Sequence, residues 1–171
     1  MIQRIQTLWL LLAVLLSVAA FFFPLANFGF EFKGEQLSAI YKILPVKTAP
    51  YQYNAAWTVL IANCITGITA FITVFLYKNR RLQMRVLAFA FLFSLAEMAL
   101  IFFYQADAGL TEAVTNICKG TPQIIDSVLQ NAKITYNIAS YFPLIQLVFF
   151  VFAMNGIKKD EALVKSSERL R

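Results

Sequence analysis

Histidine is absent from the 171 residues, which removes the commonest general base and the commonest zinc ligand. Cysteine occurs twice, at Cys64 and Cys118, a spacing that fits neither a metal-binding pair nor a disulfide framework. Two free thiols are the simpler reading, and an oxidised pair is the alternative. Charge is scarce, with Asp, Glu, Lys and Arg making up 14% of the chain against about 25% in soluble domains. No Ser-His or Cys-His pairing, paired aspartates or phosphate loop occurs. The sequence therefore offers no catalytic residues, no metal site and no cofactor, and the expectation is a protein that is not an enzyme.

What is abundant is apolar: 60% of the residues, where about 45–50% is usual. Four runs, approximately 8–25, 55–77, 86–104 and 134–154, each come near the roughly 20 residues a helix needs to cross a bilayer. Helices are the expected form, because a helix satisfies its own backbone hydrogen bonds where water cannot. The first run, following Arg4, also resembles the start of a signal peptide. It is long for a signal core and ends in Phe21, Phe22, Phe23 and Pro24, bulky where a peptidase needs small residues.

The formal charge of +6 invites a nucleic-acid reading, which the positions of the charges oppose. Arg4, Lys78, Arg80, Arg81, Arg85, Lys158, Lys159, Lys165, Arg169 and Arg171 lie at the ends of the chain and in the second connection. These are ten of the fifteen basic residues and include every arginine. Lys33, Lys42, Lys47, Lys119 and Lys133 of the other two connections are balanced by Glu31, Glu35, Asp107, Glu112 and Asp126. Positive residues are retained in the cytoplasm during insertion. The expected fold is thus an all-α membrane protein, one domain built as a four-transmembrane-helix bundle with both termini cytoplasmic. The lipid bilayer is its first partner, and nucleic acid is none.

The first connection alternates Phe28, Phe30 and Phe32 with polar or small residues. With a turn at Lys33-Gly34-Glu35 and a second run over 37–44, this predicts a short β-hairpin. A lone hairpin is marginal, so it needs the helices, lipid or another protein to rest on. Tyr41, Tyr51, Tyr53 and Trp57 suit the headgroup level. The third connection, 105–133, predicts two short amphipathic helices, one on Leu110, Val114 and Ile117, the other on Ile124, Ile125, Val128 and Leu129. Gly120 and Thr121-Pro122 supply the stop and the restart. They form a lid on the bundle, or a ligand or partner site. The tail 157–171 is a basic amphipathic helix whose Lys158, Lys159, Leu163, Val164, Lys165, Arg169, Leu170 and Arg171 are candidates for contact with inner-leaflet headgroups or a cytoplasmic partner.

The opening residues 1–7 (MIQRIQT), Pro143 in the last run and the closing segment 157–171 (IKKDEALVKSSERLR) together resemble a family of uncharacterised bacterial (Bacteroidota-type) four-helix inner-membrane proteins, classed as a domain of unknown function. Lys165 and Glu168 stand where its closing motif more often has Arg and Asp. The resemblance implies the topology and a bacterial inner-membrane location, with the longer loops periplasmic, and brings no catalytic residue, cofactor or substrate. A strand-forming first loop on four helices is also similar in layout to claudin-like proteins, whose Trp and paired-Cys signature is missing here.

Glu97 is the one ionisable residue deep in an apolar run, and a carboxylate there costs on the order of a few kcal/mol unless protonated or partnered. With Asn63, Thr66 and Gln146 as possible neighbours it forms a candidate polar site, read either as a proton or cation site or as hydrogen-bonded glue between helices. Pro143 is expected to kink the last helix, and Ala62, Gly67 and Ala70 offer a small-residue surface for close helix approach. Two functions follow. The first is a non-catalytic subunit or scaffold that contacts other membrane proteins through its tail and loops. The second is a transporter-like or ligand- or proton-sensing protein built around Glu97.

Overall fold

The structure is a computed structural model that describes the backbone of residues 2–32, 34–44, 47–48, 51–52, 57–118 and 122–169, and the side chains of 5–32, 34–44, 57–104, 106–116 and 125–163. In chain order, helix α1 (Ile2–Ala19) leads into strands β1 (Ala26–Phe32) and β2 (Glu35–Tyr41), a small ladder of β3 (Lys47–Thr48) with β4 (Tyr51–Gln52), and helix α2 (Trp57–Phe75). Helix α3 (Arg80–Ala99), a π-helical segment (Leu100–Gln105), helices α4 (Ala106–Cys118) and α5 (Pro122–Asn131), strand β5 (Lys133–Tyr136) and helix α6 (Phe142–Arg169) follow. Two compact units divide the chain. One holds Met1–Val18, Ala62–Ala96 and Phe142–Arg171, and the other Ala19–Ile61 and Glu97–Tyr141.

The first unit is helical, and its buried positions repeat at alternating steps of three and four. They are Gln6, Leu10, Ala13 and Ser17 on α1, Asn63, Thr66, Ala70 and Thr73 on α2, Gln83, Leu87, Ala90 and Ser94 on α3, and Gln146, Phe150, Ala153, Ile157 and Asp160 on α6. Such a spacing keeps one face of a helix toward its neighbours over several turns. Leu10, Ala13, Ala70, Leu87, Ala90, Phe150, Ala153 and Ile157 form one core cluster, with Trp9 closing against Phe149 at 5.5 Å between ring centroids. The stripes are mostly small or polar. Large apolar side chains such as Leu15, Ile68, Phe71, Phe89, Leu92, Val148 and Phe152 are exposed instead. In water that order would be inverted; it is the arrangement expected where lipid is the solvent, since small residues then serve close helix packing. At Gly67 a side-chain carbon would come within 3.1 Å of Ser17 Cβ, so the glycine lets α1 and α2 approach.

Three helical stretches are long and apolar enough to cross a membrane: Trp57–Lys78, Arg80–Tyr104 and Ile138–Leu163. The described apolar stretch of the first helix, Ile5–Ala19, is shorter. The run expected over 8–25 is thus corrected to a helix that begins earlier and stops at Ala19. The Phe22 and Phe23 amides close the last turn on Ala19 O, and Pro24 biases Phe23 away from helical backbone. Likewise 134–154 is not one helix, because β5 occupies its start and α6 begins at Phe142. Pro143 stands in the first turn of α6, where a missing amide hydrogen costs nothing, and it starts the helix rather than kinking it. The stretch expected as a separate tail continues α6 without a break as far as Arg169.

The second unit is not all-α. Its sheet has the order β2-β1-β5, both pairings antiparallel. The predicted hairpin is present, with Gly34 at φ +82° in the connection, a conformation that glycine adopts without a Cβ penalty. Ala26, Phe28 and Phe30 alternate into the core beside Ala39 and Tyr41 of β2. The third strand supplies the support that a lone hairpin lacks. Leu25 ties three segments together: its amide donates to Tyr41 O at 2.8 Å, and its carbonyl accepts from the Asn137 amide at 2.8 Å and from Ser140 Oγ. Helix α4 packs on the sheet at Gly109, where an added carbon would meet the Tyr41 and Phe28 rings at 3.1 and 3.2 Å. Leu110, Val114 and Val128 are buried as expected of two amphipathic helices. Ile117, Gly120, Thr121 and Ile124 lie outside the described side chains. The third connection does not open with a break at residue 105, since Ala99 and Ala106 keep helical dihedrals on either side of the π-helical segment.

Candidate functional site

Gln146 is the centre of the polar contacts inside the first unit. Wholly buried on α6, it donates through Nε2 to Ser17 Oγ at 2.9 Å and to Ala13 O at 3.3 Å. Ser94 of α3 donates to Pro143 O at 3.0 Å and lies 3.5 Å from Gln146 Oε1. Ser17 turns its own hydroxyl back to Ala13 O at 3.4 Å. Three helices are thereby joined by side chains that answer one another or backbone carbonyls. Thr66, Thr69 and Thr73 of α2 instead donate within their own helix, to Ala62 O at 2.9 Å, Ile65 O at 2.7 Å and Thr69 O at 2.7 Å.

Of the four residues proposed for a polar site, Asn63, Thr66 and Gln146 belong to the first unit and Glu97 to the second, and all are buried. Gln146 takes Ser17 and Ser94 as partners, two serines that sequence reasoning passed over although both sit on the three-and-four stripes. Glu97 is 1% exposed. Three residues beyond it the α-helix gives way to the π-helical Leu100–Gln105, a form found often at functional sites. In the second unit Tyr136 fastens that segment, its hydroxyl donating to Phe102 O at 3.4 Å and its ring lying 4.7 Å from that of Phe102. Burial raises the Tyr136 phenol above its ordinary range, helped by Asp107 and Tyr141, and burial with Glu112 raises that of Tyr41.

A second polar junction lies at the far end of α6. Asp160, 8% exposed, accepts from Gln6 Nε2 at 2.7 Å, while its backbone carbonyl accepts from Arg80 Nη1 at 2.8 Å. The chain folds this way because Gly156, one turn earlier, leaves room for Gln6: a side-chain carbon there would stand 2.6 Å from Gln6 Cγ. Of the tail candidates, Lys158, Lys159 and Leu163 are exposed. Val164, Lys165, Arg169, Leu170 and Arg171 lie outside the described side chains, as does Cys118. Cys64 carries a free thiol. Among the described residues no group of His, Cys, Asp and Glu could hold a metal ion.

A family described as Domain of unknown function (DUF4293) matches residues 2–170. The chain belongs to that family. Neither a curated protein nor a solved structure matches it. DUF4293 membership fits the two-ended resemblance read from the sequence and assigns no residue a role. Nothing in these matches shows the likeness to claudin-like proteins.

Proposed function

We propose that this chain is a non-catalytic membrane protein, a small subunit or scaffold whose four helices form a bundle in a bacterial inner membrane, with both termini cytoplasmic and the longer loops periplasmic. The carrying observation is that Gln146, Ser17 and Ser94 bond to one another and to backbone carbonyls. Their hydrogen-bonding capacity is spent on holding helices together, as in helix pairs that use polar groups as glue. The side assignment is supported by ten of the fifteen basic residues lying in the segments read as cytoplasmic. The α6 helix supports a partner role: 28 residues rise about 42 Å, more than the roughly 30 Å of hydrocarbon, so its basic end projects beyond the lipid.

A second reading, a proton- or ligand-sensing site at Glu97, is favoured by the π-helical segment that follows that buried carboxyl. Two variants separate the readings. The scaffold expects native-gel mobility of a membrane complex to survive Glu97→Gln and to be lost when the chain stops after Leu163. The opposite pattern favours the site at Glu97.

A further inference from the structure

Helix α3 carries a stripe that the proposed function does not use. Arg81, Arg85, Ala88, Leu92 and Leu95 recur at steps of three and four on its exposed side, so they lie in one line along the helix. The line runs from two guanidinium groups through a small residue to large apolar side chains, with Phe89 beside it. Among the described residues the side chains of Arg81 and Arg85 make neither an ion pair nor a hydrogen bond. Asp160 of α6 turns its carboxylate to Gln6, and Arg80, beside Arg81, donates to the Asp160 carbonyl. Helix α3 is also the least enclosed of the three candidate spans, with 28% of its apolar window buried against 39% for each of the others.

We infer that this stripe seats one anionic phospholipid, its phosphate gripped by Arg81 and Arg85 and an acyl chain lying over Ala88 and along Leu92 and Leu95. Two guanidinium groups one turn apart match a phosphate, because the planar fork binds oxyanions through paired hydrogen bonds that an ammonium cannot reproduce. Lys158 and Lys159 of α6 offer charge without that fork, so the α3 stripe, rather than basic charge in general, holds the lipid. The inference rests on the reading of α3 as a membrane span.

The test places the full chain in phosphatidylcholine nanodiscs containing a minority of phosphatidylglycerol and counts retained lipids by native mass spectrometry. Wild type should keep phosphatidylglycerol, and Arg81→Gln with Arg85→Gln should lower its retention by about tenfold. Arg81→Lys with Arg85→Lys preserves the charge that orients the helix and should still lose most of the retention, whereas Lys158→Gln with Lys159→Gln should change it less than about twofold. Full retention in the lysine variant at positions 81 and 85, or equal losses from both pairs, would overturn the seat in favour of diffuse attraction. Failure of the wild-type chain to enter the nanodisc would instead contradict the membrane reading itself.

Discussion

Gln146 and Gly156 test the packing most sharply, because each sits where one atom decides the contact. Replacing Gln146 with Leu removes the donors to Ser17 and Ala13. Hydrogen bonds between membrane helices contribute about 0.6 to 1.7 kcal/mol, so Gln146→Leu should lower stability by about that much in a reversible unfolding assay, with Glu97→Gln changing partner binding little. Gly156→Ala thrusts a methyl group into Gln6 and should cost about 1–3 kcal/mol. Adding the same change to a Gln6→Ala background should cost less, and equal costs in the two backgrounds would show that Gln6 is not the obstacle. Tyr41 and Tyr136 give the sheet-bearing unit a pH limit. Burial, more than Glu112 or Asp107, raises both phenols in the folded chain, so folding holds their protons more tightly than the unfolded chain does. The resulting stability is whole below about pH 10, the unfolded phenol value, and is lost as pH rises through the folded values. Phenolate absorbance in an alkaline titration should lag behind that of free tyrosine and rise together with the loss of β structure.

Among the elements, α6 changes what a truncation means. Ile157 and Asp160 are buried, so stopping the chain after Met154 removes packing as well as charge and should cost about 2 kcal/mol or more. Stopping after Leu163 should leave the melting temperature in detergent near that of wild type. The hairpin and the two amphipathic helices were legible because each has a local pattern: alternating Phe28, Phe30 and Phe32 before Gly34, and Leu110 with Val114 at helical spacing. Strand β5 was not, since Lys133–Tyr136 adjoins the apolar run that becomes α6 and its pairing with β1 crosses about a hundred residues of chain. Composition cannot reveal such a partner. The end of α1 was misplaced for a related reason: Phe21, Phe22 and Phe23 are apolar enough for a span, yet the turn at Ala19 and Pro24 decides where the helix stops.

For the molecule as a whole, hydropathy marked four spans, three of which overlap helical stretches long and apolar enough to cross a membrane, and Gln146 and Glu97 are buried. Ser17, Ser94, Gln6 and Asp160 escaped notice because a serine or glutamine near an apolar run carries no signal alone. Only the shared three-and-four spacing, read on all four helices together, marks them as one inner face. That face is polar and small inside, with large apolar side chains outside, as the proposed scaffold requires. The most direct test is gentle purification of the tagged full chain in native nanodiscs, with quantitative mass spectrometry of what accompanies it. The account predicts one stoichiometric membrane partner that is lost when the chain stops after Leu163. A protein that emerges alone and intact in both forms would contradict it.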